Sequence, residues 1–304
     1  MRITFATGAD TRLFWNVCAL AWTFSEHNPG HRLRIADFGL NPEQAQFLSS
    51  IGLLSAAPNC LDPIPHPWIC KTALNQFEGL SANECDALAW VDADMLAVGP
   101  MVEDAIAIGL FMKEHGAAAA ACRDNSGLSL NDFIHVYRDA GMPVDPFHEL
   151  LVQRGVKGTE PYLNTGFLMI VDHSFWPAWH GLTSTIAPHV AFDQSTFNAL
   201  VHSSSHHCLE LDGRSWNVHN ELIALHEPGV QADGEPVRLL HPTSMASEHH
   251  LWQPVQLSIH GHSTTIDLKT FKRADLHDQH VRALNAFMSH HGESLLRSGL
   301  LNRH

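Results

Sequence analysis

Apolar residues return along this chain in two rhythms. Short apolar runs bounded by glycine or acidic residues alternate with stretches in which apolar positions recur every three or four residues. The first rhythm predicts strands and the second helices. RITFAT (Arg2–Thr7), ending in Gly8, predicts a first strand, and Asp10 stands where a helix through about Ser25 would be capped. LRIADFG (Leu33–Gly39) predicts a second strand. NPEQAQFLSSIG then predicts a helix with Asn41 as N-cap, Pro42 in the first turn and Gly52 at its end. ICKTALNQFEGL reads as helix, and DALAWVD (Asp86–Asp92) as strand. GAAAAAC (Gly116–Cys122) reads as strand, although an alanine run suits a helix as well. YLNTGFLMIVD (Tyr162–Asp172) is the strongest strand, and a helical segment follows from Ser174. FDQSTFNALV (Phe192–Val201) predicts a helix, HCLELD and VRLLHP short strands, and the residues from Thr270 to about His291 a helix.

Strands alternating with helices through the first half predict an α/β fold, a mainly parallel central sheet with helices on both faces. Ligands of such sheets bind beyond the carboxyl ends of the strands. The segment Leu128–Glu160 is the least regular and is expected to be an insertion over the site. There is no internal repeat and no low-complexity linker.

Composition narrows the classes. The 304 residues are 45% hydrophobic and 16% charged, enough apolar material for a large core and too little charge for a disordered chain. Eighteen Lys and Arg against 32 Asp and Glu give a formal net charge of −14, and no Lys/Arg-rich run is present. Nucleic acid is therefore excluded as the main ligand. The six cysteines (18, 60, 70, 85, 122, 208) form no CxxC and mostly lie in or beside apolar segments. They read as reduced thiols of a cytoplasmic protein. MRITFATGAD lacks the apolar core of a signal peptide, and no transmembrane segment is expected.

One stretch carries chemistry. In LAWVDADMLAVGP, apolar residues run straight into Asp92 and Asp94, the only DxD in the chain. Burying a carboxylate is costly unless a cation or hydrogen-bond donor meets it. Two carboxylates at a strand end suit a hard divalent cation, Mn²⁺ or Mg²⁺, which can in turn hold a diphosphate. The plainer alternative is that Asp92 ends the strand and Asp94 starts a turn. Other strand ends offer candidates with equally plain alternatives. Asn164 lies in YLNTGF, where a glycine marks either a bulge or the close approach of a ligand. Asp193 and Gln194 open a helix, where Asp193 could be a cap. His241 ends a strand, as a further ligand or as a structural residue.

Taken in order, these segments resemble the glycosyltransferases of the GT-A fold, most of all family 8, the galactosyltransferase and glycogenin type. The likeness rests on ITFATGAD, DFGL, PWICKTAL, LAWVDADM, YLNTGFLMI, FDQSTFN, SWN and LLHPT, and spans about residues 2 to 252. It implies a GT-A domain over residues 1–265 with a helical extension over 266–304. It also implies site roles. Asp92 and Asp94 would bind Mn²⁺ with His241, and Asp92 would also lie near the donor ribose or sugar. Lys71 would neutralise donor phosphate or hold the sugar. Ala6, Thr7 and Asp10 would line the nucleoside pocket, and Trp216 and Asn217 would close its floor. Asn164 would position the donor sugar, Asp193 would bind its hydroxyls, and Gln194 would face the reacting carbon. The implied donor is a nucleotide-diphosphate sugar, a UDP-sugar by preference, and the acceptor a glycan, lipid-linked or small-molecule hydroxyl, with configuration retained.

This sequence departs from the pattern in two places. The first loop lacks a base-stacking tyrosine. After His241 the chain reads HPTSMASEHHLW, without the family's glycine and Lys-Pro-Trp, so that His249 or His250 competes for the third ligand position. Other classes fit less well. Haloacid-dehalogenase-like phosphatases need a small hydroxyl residue after the aspartate pair, where Met95 stands. Sugar nucleotidyltransferases need a glycine-rich basic loop after the first strand. A degenerate, non-catalytic transferase fold that binds a sugar or partner is the non-enzymatic alternative. Past Gly261, Lys269, Lys272 and Arg273 could meet the inner face of a membrane, but their acidic and histidine neighbours favour a solvated helix.

Overall fold

A computed structural model describes residues 1–61, 66–124, 127–189, 191–203, 206–219, 236–243, 251–259 and 262–301. In chain order its elements are β1 (Ile3–Ala9), α1 (Phe14–His27), β2 (Leu33–Asp37), α2 (Pro42–Ser50), β3 (Leu54–Ser55), α3 (Pro67–Thr72), β4 (Ala87–Val91), β5 (Leu96–Ala97), α4 (Val102–His115), β6 (Ala117–Arg123), α5 (Leu130–Asp139) and α6 (Asp145–Gln153). Next come β7 (Leu163–Ile170), α7 (Phe175–Thr185), α8 (Phe192–Ser203), β8 (His207–Leu211), α9 (Gly213–Trp216), β9 (Val218–His219), β10 (Leu239–His241), β11 (Trp252–Ile259), β12 (His262–Lys269) and α10 (Ala274–Arg297). The chain is α/β with a mainly parallel central sheet, as the alternation of runs implies. It divides into two compact units: residues 1–4, 58–90 and 104–213, and residues 5–57, 91–103 and 214–304.

In the first unit, sheet strands run in the order β4-β7-β6-β8. β6 pairs antiparallel to β7 and parallel to β8. The alanine run of β6 is thus a strand, and Ala119, Ala120 and Ala121 are fully buried, where only small side chains fit. β7 carries a large bulge. Ala121 pairs with Leu168, but the next residue, Cys122, pairs with Asn164. Thr165, Gly166 and Phe167 therefore leave the ladder, the disruption that a glycine within an apolar strand signals. The segment 128–160 is more regular than its sequence implies. Its helices α5 and α6 close over Phe133, Phe147 and Tyr162, and α5 begins with a capping box between Ser129 and Asp132.

In the second unit, sheet strands run β3-β2-β1, all parallel. Gly8 in β1 has a steric reason: a Cβ there would run into the Phe38 ring. α2 starts where its signals lie. Asn41 Oδ1 accepts from the Gln44 N–H, Gln44 Oε1 accepts from the Asn41 N–H, and Pro42 takes the first position. Asp10 does not cap α1. Its Oδ1 accepts from the N–H groups of Arg12 and Leu13, tightening the turn before a helix that begins only at Phe14. A second, three-stranded sheet has the order β5-β10-β9, and β11 and β12 form an antiparallel hairpin. That hairpin carries alternating apolar positions (Val255, Leu257, Ile266, Leu268) into the core beneath α1 and α10. β12 takes in residues 266–269, short of the helix expected from Thr270, and α10 runs from Ala274 to Arg297.

Candidate active site

The second unit builds one cluster from three short pieces of chain. β4 ends at Val91, and a turn closed by the Met95 N–H on the Asp92 carbonyl carries Asp92 and Asp94 before β5 begins at Leu96. β10 pairs with β5 through Leu240 and Leu96, so its next residue, His241, falls beside that turn. β9 pairs with β10 on the other side, with Val218 opposite Leu240, which sets Asn217 against the imidazole. The DxD turn and the late histidine thus meet because a two-residue strand fixes their register.

The geometry could hold a cation. One ligand atom each from Asp92, Asp94 and His241 lies within 4.8 Å of the others. Two ligands of one hard divalent ion sit at most about 4–5 Å apart, so the spacing fits. His241 Nε2 is 3.3 Å from Asp94 Oδ1 and 3.7 Å from Asp92 Oδ2. Its Nδ1 donates to Asn217 Oδ1 at 2.8 Å, which leaves the Nε2 lone pair for a ligand. A lone pair aimed at two carboxylates is repulsive unless a cation, or a proton on Nε2, comes between. Burial pushes the Asp94 carboxyl up, but the Lys269 ammonium and His241 outweigh it and hold the group well below the usual carboxylate range. Asp94 is therefore ionised when buried.

Lys269 is the residue that sequence reasoning did not place here. It lies at the end of β12, 8% exposed, with Nζ 2.7 Å from Asp94 Oδ2. It is neither on a helix nor at a surface that could meet a membrane. Asn16 of α1 fixes its backbone: the Asn16 amide donates to the Lys269 carbonyl at 2.7 Å, and Asn16 Oδ1 faces the Lys269 N–H at 3.4 Å. The signal available in the sequence was the alternation Thr264, Ile266, Leu268, which marks a strand and puts Lys269 at its end.

The remaining second-unit candidates are spread along its elements. Ala6 and Thr7 lie in β1, fully buried, and Thr7 Oγ1 has no hydrogen-bond partner among the described residues. Trp216 ends α9 with the Arg238 guanidinium over its ring at 4.9 Å. His249 and His250 lie outside the described residues.

The first unit builds a second polar cluster. Lys71 on α3 donates to the Thr165 carbonyl and to Thr165 Oγ1, both at 3.0 Å, and its Nζ is 3.3 Å from Asp193 Oδ2 on α8. The Trp90 ring centroid is 5.1 Å from the same ammonium. Asp193 is thus a buried ion-pair partner and not a helix cap. Gln194 is held at both ends of its amide. Oε1 accepts from the Thr165 N–H at 3.0 Å, and Nε2 donates to the Tyr162 hydroxyl at 2.8 Å. Asn164 Oδ1 accepts from the Gly166 N–H within the bulge, and Nδ2 donates to Asp124 at 3.3 Å. The β7 bulge organises the cluster, since Asn164, Thr165 and Gly166 each contribute a polar contact.

No family model and no curated protein matches this sequence. Solved structures do. The bifunctional glycosyltransferase WbbM in its apo form matches with a TM-score of 0.53 at 11% identity, over 80% of this chain and 46% of that one. The glycosyltransferase GlyE of Streptococcus pneumoniae TIGR4 matches with a TM-score of 0.52 at 13% identity, over 99% of this chain and 64% of that one. The fold is that of the glycosyltransferases. The chain spans less than half of WbbM and under two thirds of GlyE. On this glycosyltransferase fold the Asp92–Asp94–His241 cluster lies just past the carboxyl end of a sheet strand, where α/β sheets bind ligands. All six cysteines lie among the described residues and none is in a disulfide. No helix among the described residues is long and apolar enough to cross a membrane.

Proposed function

We propose that this protein is a metal-dependent glycosyltransferase that moves a sugar from a nucleotide-diphosphate sugar, by preference a UDP-sugar, to a hydroxyl acceptor. One observation carries the reading: Asp92, Asp94 and an imidazole nitrogen with its tautomer fixed by Asn217 converge within 4.8 Å at a strand end of a glycosyltransferase fold. The donor set is of oxygens and one nitrogen, which suits Mn²⁺ or Mg²⁺ and not a soft metal. Such a cation, when bound, supplies positive charge to a diphosphate leaving group.

The chain's own residues do the rest in this reading. Asp92 and Asp94 hold the ion, His241 completes the protein ligands, and Asn217, accepting from Nδ1, orients the ring so that Nε2 faces the acids. The family resemblance assigns the sugar to Asn164, Asp193 and Gln194, and donor phosphate or sugar to Lys71. A rigid amide suits Gln194 for facing a carbon that gains positive charge, because its carbonyl is polar yet a poor nucleophile. Retention of configuration follows from the resemblance alone. Ala6, Thr7, Asp10 and Trp216 fall to the nucleoside.

The test is binding followed by turnover. A thermal-shift panel of nucleotide sugars, with and without Mn²⁺, should show one donor raising the midpoint only when Mn²⁺ is present. Release of the nucleoside diphosphate from that donor should need the same ion. No shift with any donor sinks the reading. A metal-dependent shift without diphosphate release leaves the non-catalytic binding protein in its place.

A further inference from the structure

The cluster in the second unit holds a charge that a simple ion site lacks. Asp92 and Asp94 bring two negative charges, and Lys269 brings one positive charge 2.7 Å from Asp94 Oδ2. The ammonium is 10% exposed and Asp94 6%, so water screens this pair little. His241 faces the same carboxylate from β10 at 3.3 Å, and burial pushes His280 on α10 down to about 4, so that His280 is neutral near pH 7. An incoming divalent cation therefore meets a carboxylate that is already paired with an ammonium. The ion alone would sit beside that ammonium, and a diphosphate would offset both positive charges. The lysine is built to stay: its carbonyl and N–H are held by Asn16, which is fully buried.

We infer that Lys269 is a positioning residue whose resident charge keeps cation binding at Asp92, Asp94 and His241 weak alone and makes it strong once a diphosphate is present. The inference rests on the proposed function. By linkage the effect is reciprocal, so the ion tightens the diphosphate by the factor that the diphosphate tightens the ion. Its consequence is that ion and donor load together, and the empty protein does not scavenge divalent cations. One oxygen of Asp94 stays on the lysine while the other faces His241 Nε2, so the ammonium also fixes which oxygen is offered to the ion.

The experiment is Mn²⁺ titration followed by electron paramagnetic resonance, on the full chain, with no nucleotide, with UDP and with inorganic diphosphate. The wild type should bind Mn²⁺ weakly alone and about 10- to 100-fold more tightly with either anion, within the usual range of coupling. Lys269→Gln keeps a hydrogen-bond donor for Asp94 without its charge. It should tighten nucleotide-free Mn²⁺ about tenfold and shrink the coupling by a similar factor, while Lys269→Arg keeps the wild-type coupling. Unchanged nucleotide-free affinity and coupling in a folded Lys269→Gln overturns the inference. So does a wild type that binds Mn²⁺ equally well with and without the anions, a result that needs no variant and leaves the proposed function standing. Absence of Mn²⁺ binding under every condition overturns both.

Discussion

The two polar clusters use the same kinds of residue and reach opposite arrangements. In the first unit, Lys71 and Asp193 face each other, both nearly fully buried, and Thr165 ties down the same ammonium. Gln194 and Asn164 are each bonded through both ends of their amides. Charge and donors are matched there. In the second unit, two carboxylates and an imidazole nitrogen point at one another, and Lys269 offsets one of the acids. The matched cluster reads as scaffold with functional groups held still upon it. The mismatched cluster is an arrangement that could hold a cation. A buried polar group states its role less by its identity than by whether its charge is already answered.

The sharpest way to break this comparison is to remove one acid from the mismatched cluster. Asp92→Ala should lower Mn²⁺ affinity in the presence of UDP by about a thousandfold, since it deletes a ligand to a hard cation. Its side chain is 27% exposed, so folding stability should change by less than about 1 kcal/mol. Calorimetric titration and a urea midpoint read the two effects. Ion affinity kept within tenfold would mean that the carboxylates only end a strand. The matched cluster should respond the other way. Lys71→Met strands the buried Asp193 carboxylate and should cost about 3–5 kcal/mol in a urea melt. Nucleotide-free Mn²⁺ affinity, measured where the variant is still folded, should not move. A loss below about 1 kcal/mol would show that the pair is wetter than its burial implies.

The sequence made some of this legible, and the reason is distance along the chain. The α2 cap was readable because Asn41, Pro42 and Gln44 act within four residues. The β7 bulge was readable because a glycine in an apolar strand is a local signal. Asp92, Asp94 and His241 were readable as residues at strand ends, and the fold then supplied the pairing of β5 with β10 that joins them. Lys269 was misread because its sequence neighbours are polar, while its partner Asp94 is brought to it by the β11–β12 hairpin. The hairpin itself was hidden by Pro254, which weakens any strand reading although an edge position tolerates it. The ion pair of Asp193 was hidden for the same reason: an acid opening a helix also looks like a cap, and nothing nearby announces Lys71. Asp10 sits close to where it was expected, but its bonds serve the preceding turn.

A finer test asks whether the residues around the ion site act through His241. Asn217 is fully buried and accepts from His241 Nδ1. Asn217→Ala frees the tautomer and ring orientation, and should weaken Mn²⁺ about 10- to 100-fold, the usual cost of losing such a partner. Asn217→Asp restores an acceptor and should recover most of the affinity at neutral pH. If Asn217→Ala binds Mn²⁺ normally, His241 belongs to the scaffold and the ion rests on the two acids alone.

The smallest effect concerns His280, whose ring is fully buried with Nδ1 3.3 Å from Thr270 Oγ1 and no hydrogen-bond partner for Nε2 among the described residues. Burial lowers it to about 4, only partly offset by the charge on Asp94. An unfolded histidine titrates near 6.5, so between pH 6.5 and 4 the unfolded chain binds the extra proton and the folded chain does not. Stability from this group is present above pH 6.5 and is lost as the pH falls toward 4. Asp94 behaves differently in that window: its value is also lowered, so its contribution holds above the ordinary carboxyl range and fades only in stronger acid. From pH 7 to 5 the His280 contribution should fall by about 1–2 kcal/mol. Histidines of the first unit that burial also lowers, such as His189 and His202, will steepen the total slope, so the measurement must be a difference. Urea midpoints of the wild type and His280→Phe at pH 7, 6 and 5 give it directly, and the variant should lose less stability on acidification. Parallel profiles would mean that His280 takes up its proton inside the fold as readily as in the unfolded chain.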